Sequence, residues 1–150
     1  MGTAALAALA VAGCSSATTG AASIHPTAAY IQQPAVTGKA TVGYLDIRNN
    51  GSDDQLISVS TSVGGTVELR GPVRTGVTPV IMHTVTDIPI PANATTQLIP
   101  DSYHLLITGA GPMHDGKDIQ LTLRFAQGSP ITIYALVTNP QNGGSSYFLN

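Results

Sequence analysis

Residues 119 to 125, IQLTLRF, alternate strictly, with Ile119, Leu121, Leu123 and Phe125 on one side and Gln120, Thr122 and Arg124 on the other. Residues 131 to 137, ITIYALV, repeat the pattern, with Ile131, Ile133, Ala135 and Val137 set against Thr132 and Tyr134. A period of two over whole segments predicts half-buried strands, because helices repeat their apolar positions every three to four residues. Shorter runs of strand-like residues lie at 41–47, 55–61, 66–70, 79–85, 95–99 and 103–108. Turn formers punctuate them: NNGSDD at 49–54, Gly64–Gly65, and the proline-broken IPIPANA at 88–94. Order is expected from near Tyr30 onward. The fold class is all-β, an antiparallel sandwich or barrel.

Composition narrows this picture without changing it. With 16 glycines and 10 prolines scattered through 150 residues, there is no room for long helices. Only 9% of residues are charged and the net charge is −2, so there is no basic patch to attract nucleic acid. The chain is long enough for one domain with its own core. Its single cysteine, Cys14, excludes an intramolecular disulfide and a cysteine-based zinc site.

The surroundings of Cys14 matter more than its solitude. AALAALAVAG, residues 4 to 13, is an apolar run too short to span a bilayer and reads as the core of a secretory signal. VAGC, Val11 to Cys14, resembles the bacterial lipobox, in which the cysteine is lipidated and becomes the mature N-terminus. Met1 to Leu6 carries no Lys or Arg, so the natural start is expected upstream. Residues 1–14 are therefore expected to be a lipoprotein signal, 15–23 a flexible tether, 24–140 the β domain and 141–150 a tail. The expected location is extracytoplasmic, anchored to the bacterial cell membrane by lipid.

Export shapes the chemistry available. Met and His are the soft and borderline donors left to the chain, a set suited to Cu(I). Those in the domain are Met82, His83, His104, Met113 and His114, besides the early His25. At this point the chain resembles the periplasmic PCu(A)C copper chaperones, also called DUF461. GYLDIRNNGSDDQL (43–56), VEL (67–69), MHTVTDIPIPANATTQL (82–98) and YHLLITG (103–109) are similar to that family's signature segments. The resemblance covers roughly residues 24 to 138 and implies a cupredoxin-like Greek-key β-barrel. It also implies Cu(I) bound by two methionines and two histidines, for delivery to a cytochrome oxidase-type copper centre.

The family's ligand pattern is a His, ten residues, a Met, twenty-one residues, then His-x-Met. Met82 and His104 stand 21 residues apart and carry over as metal ligands. The first histidine is replaced by Arg70, directly after VEL, or by Gly71 on strict counting, and the last methionine by Leu106. None of these side chains offers copper a lone pair. His83, Met113 and His114 are the possible substitute ligands, although alternation turns His83 away from Met82.

Two readings follow from the resemblance and its departures. One is a monomeric copper(I) chaperone whose partner is a copper-accepting oxidase subunit. The other is a metal-free β-barrel interaction lipoprotein, with Met82 filling a gap in the core and His104 hydrogen-bonded at a sheet edge. No Ser-His-acid or Cys-His set points to an enzyme. The lipobox generates a first test. Cys14→Ser is expected to move the protein from the membrane fraction to the aqueous phase in detergent partitioning, and a variant that stays membrane-bound overturns the anchor.

Overall fold

The computed structural model describes residues 21–73 and 80–142, so Cys14, most of the expected tether and nearly all of the tail lie outside the described residues. Among the described residues ten strands follow one another: β1 (Ile24–Gln32), β2 (Thr41–Asn49), β3 (Asp54–Thr61), β4 (Thr66–Pro72), β5 (Met82–Thr84), β6 (Ile88–Ile90), β7 (Ala94–Leu98), β8 (His104–Thr108), β9 (Asp118–Phe125) and β10 (Ile131–Thr138). A single 3-10 turn, Pro140–Asn142, ends the described part. The all-β expectation holds.

The strands form one sheet in the order β5-β4-β8-β2-β1-β10-β9-β3-β6, with β7 also paired to β2. Alternation decides which face each side chain takes. Ile31, Leu45, Ile47, Leu56, Leu105, Ile107, Leu121, Leu123 and Val137 are all at most 1% exposed and point into the curl of the sheet. Burying each such side chain contributes about 1.5–3 kcal/mol, so this inner face drives the fold. β10 lies between β1 and β9 as an inner strand, in keeping with the clean alternation of 131–137.

The pairing departs from simple antiparallel order at one place. β1 runs parallel to β10, with Tyr30 opposite Leu136, while every other pair is antiparallel. Parallel neighbours need a long connection, and here the whole domain lies between them. Order also starts earlier than expected: Ile24 to Thr27 pair with Asn49 to Asp46 and so extend β1 upstream of Tyr30. Of the described part of the strand expected at 79–85, only Met82–Thr84 is strand, and IPI at 88–90, expected as a turn, forms β6. Pro89 is tolerated there because β6 is the outermost strand of its side, where a missing N–H breaks no ladder.

A buried amide closes the curl. Asn49 is fully buried; its Oδ1 accepts from Gly51 N (2.9 Å) and Ser23 N (3.3 Å). Its Nδ2 donates to Ser52 O (2.6 Å) and Ile90 O (3.1 Å). One side chain thus ties β2 to Ser23 just ahead of β1, to the 49–54 turn and to edge strand β6. Asn49→Ala would strand these partners in a dry environment, where each unsatisfied group costs about 1–3 kcal/mol. The expected loss is about 2–4 kcal/mol of unfolding free energy, read from the midpoint of a urea titration.

Candidate metal-handling face

The positions of the ligand pattern gather on the outer face of β4, β5 and β8, opposite the core. On β8, Leu105 and Ile107 point inward, which leaves His104 and Leu106 half-exposed on the other side. Across the ladder, Arg70 faces His104 and Glu68 faces Leu106. On the far side of β4, Thr84 pairs with Arg70 and Met82 with Pro72. Met82, Arg70, His104 and Leu106 therefore share one face. The backbones of Met82 and His104 are two strands and one step apart, about 11–12 Å from standard sheet spacings, so their side chains have to converge above β4 to share an ion.

This register decides which residue stands in the place of the missing histidine. Gly71 points inward, and a Cβ built there would lie 2.9 Å from Cε1 of Tyr103 and 3.0 Å from Cγ1 of Val85. Arg70 is the residue on the ligand face. Its guanidinium leans toward β5, with Nη1 donating to Thr84 Oγ1 (2.8 Å) and Nη2 to the Met82 carbonyl (3.0 Å). Nη1 also lies 3.5 Å from Glu68 Oε2, which in turn accepts from Thr84 Oγ1 at 2.9 Å. A fixed cation stands where the resemblance implies a donor.

His104 is oriented by its own loop. β7 and β8 pair one after the other with the same edge of β2, and residues 99–103 bulge out between them. Asp101, at φ 59°, makes the sharp turn there, and Ser102 N bonds back to Ile99 O at 3.2 Å. The Ser102 carbonyl lies 3.1 Å from His104 Nδ1. A carbonyl only accepts, so Nδ1 carries the proton and the neutral ring keeps its lone pair on Nε2. A backbone partner of this kind sets ring orientation and tautomer in metal-binding histidines. Nε2 has no hydrogen-bond partner among the described residues.

Aromatic rings extend the row toward β1. Tyr44 lies 6.3 Å from His104 between ring centroids, and Tyr30 lies 5.1 Å from Tyr44. Tyr30 reaches this face because a bulge around Ala28, whose φ is 50°, inserts one extra residue between Thr27 and Tyr30. Burial raises the pKa of Tyr44, helped by Tyr30 and Asp101; burial also raises that of Tyr30, helped by Asp46. Both phenols stay neutral at physiological pH.

The substitute ligands lie elsewhere. His83 is exposed and, paired with Gly71, turns to the face opposite Met82. Met113 is 4% exposed and packed in the core, and His114 is exposed in the loop beyond Thr108, at the end of β8 away from His104. The structure brings Met82 and His104 to one face and does not bring these three to it. Among the described residues no group of three or more His, Cys, Asp or Glu is placed to hold a metal ion. Sequence reasoning passed over Glu68, Thr84, Tyr44 and the Ser102 carbonyl. The E-x-R spacing of Glu68 and Arg70 signals a shared strand face, but nothing in the sequence marks the carbonyl.

Solved structures with this fold define the class. The apo PCuAC domain from PmoF1 superposes with a TM-score of 0.67 at 20% identity, covering 78% of this chain and 94% of that one. The copper-bound PCuAC domain from PmoF2 gives 0.63 at 18% identity, over 78% and 93%. Apo-DR1885 from Deinococcus radiodurans gives 0.58 at 22% identity, over 93% and 97%. The fold is that of a PCuAC domain. A family model described as "Putative lipoprotein LpqE-like" matches residues 24–137, and the chain belongs to this LpqE-like family. A curated relative, "Putative lipoprotein Lxx21020" of Leifsonia xyli subsp. xyli (strain CTCB07), is 25% identical over 109 residues, 71% of this chain. The chain spans 66% of that relative's length.

The opposite orientations of Arg70 and Gly71 give a direct check. Gly71→Ala forces Tyr103 and Val85 to move and is expected to cost about 1–3 kcal/mol, as overpacking does. Arg70→His, on the partly solvated outer face, is expected to stay within about 1 kcal/mol of the parent. Parallel denaturant titrations of the two variants measure the difference.

Proposed function

We propose that the protein is an extracytoplasmic, lipid-anchored, non-enzymatic domain that carries Cu(I) as cargo to an oxidase-type copper centre, using His104 and Met82 as donors. The observation that carries this reading is the Nδ1–H bond from His104 to the Ser102 carbonyl, which leaves Nε2 free on the face that Met82 shares. Imidazole and thioether suit Cu(I), and two donors favour a loosely held ion that is readily passed on. The fold shared with a copper-bound PCuAC domain and the lipoprotein description of the family support the same reading. The VAGC segment supplies the anchor point at Cys14.

Arg70 favours a second reading, a metal-free interaction module, because a cation fixed beside the donors opposes a bound cation. Titration of the full-length protein with Cu(I), in competition with a chromophoric chelator, separates the two. The copper reading expects about one Cu(I) per chain, lost in His104→Ala and held more tightly in Leu106→Met, where a thioether is regained at similar volume. A parent protein that takes no Cu(I) from the chelator, with both variants indistinguishable from it, decides for the metal-free module.

A further inference from the structure

Arg70 stands directly across the ladder from His104 and holds the Met82 carbonyl with its guanidinium. Any ion shared by those two side chains sits within several ångströms of a full positive charge. Glu68, one step along the same face, lies 3.5 Å from that guanidinium and shares Thr84 with it. The side chains of Arg70 and Glu68 are 24% and 39% exposed, so solvent screens them only in part. The charge beside the donors is therefore adjustable: Arg70 repels a bound cation and Glu68 offsets part of that repulsion.

We propose that the Arg70–Glu68 pair sets how readily Cu(I) leaves the His104–Met82 site, with Arg70 as a built-in release charge. The proposal rests on the copper reading above and adds to it a positioning and tuning role for two residues that donate nothing to the metal. The pair would keep the affinity low enough for an acceptor with more soft donors to extract the ion. Neither residue touches the cargo; both act through the local potential.

The test measures Cu(I) affinity by chelator competition on the full-length protein and four variants, at low and high salt. Arg70→Gln removes the charge without adding a soft donor and is expected to tighten binding by roughly 10- to 50-fold, the effect of one unit charge at about 6–8 Å in a partly solvated site. Arg70→Lys keeps the charge and is expected to stay within about threefold of the parent. Glu68→Gln unmasks Arg70 and is expected to weaken binding several-fold, and the double neutralisation to fall between the parent and Arg70→Gln, a few-fold tighter than the parent. These differences are expected to shrink at about 0.5 M salt, where screening acts over a few ångströms.

Thermal unfolding of each variant shows that the fold is kept. Parent binding with an Arg70→Gln variant that is no tighter overturns the release role and leaves copper carriage standing. An Arg70→Lys variant that tightens as much as Arg70→Gln overturns it too, since the lost hydrogen-bonding fork would then be the cause. A parent and an Arg70→Gln variant that both fail to bind overturn the copper reading together with this one. A parent that fails while Arg70→Gln binds overturns carriage by the natural chain and upholds the repulsion by Arg70.

Discussion

A curled sheet has to close without leaving buried backbone groups unpaired, and here the closure runs through the amide of Asn49. Its four hydrogen bonds reach Ser23 ahead of β1, the turn after β2 and the outermost strand β6. No residue of another type at that position offers two donors and two acceptors in so little volume, apart from the longer glutamine. With Asn49 fixed, β2 is held in register along its length. That strand then sets the rest: β1 on one edge, and β7 followed by β8 on the other.

The candidate metal-handling face inherits its geometry from this arrangement. Because β7 and β8 share one edge of β2, the residues between them must loop outward before the chain returns to the sheet. That excursion places the Ser102 carbonyl beneath His104 and so fixes which imidazole nitrogen faces away. The bulge at Ala28 performs a parallel service on the other edge and brings Tyr30 beside Tyr44. Backbone irregularities, at positive φ in Asp101 and Ala28, thus build the row of side chains on a face the core does not use.

Alternation also explains how one fold accommodates different chemistry on its surface. In each strand the inward residues carry the burial energy, while their immediate neighbours point the other way and carry almost none. A change at an outward position such as Arg70 or Leu106 therefore leaves the core untouched. A chain with 18–22% identity to solved PCuAC domains keeps their fold while its outer face holds a hydrogen-bonded guanidinium. That face carries the charge of Arg70, its partial compensation by Glu68, and the side chains of Met82 and His104 on either side of β4.

The period-two pattern by itself determined that the chain is all-β, which residues of β9 are buried and which side of β10 faces the core, because burial on one face is written locally in every second position. The resemblance to the PCu(A)C ligand pattern marked Met82 and His104, and alternation placed His83 on the opposite side from Met82. The sequence did not reveal that IPI at 88–90 joins the sheet, since Pro89 is acceptable only at an outermost strand and edge position is a property of the whole sheet. Nor did it show that β1 and β10 are parallel, because nothing local records which distant strand becomes a neighbour. The choice between Arg70 and Gly71 needed the register of β4 against β5 and β8, for a shift of one residue moves a side chain to the other face. Only the tertiary structure set Arg70 between Met82 and His104 and the Ser102 carbonyl against His104, because both contacts join strands or loops whose approach depends on how the sheet curls.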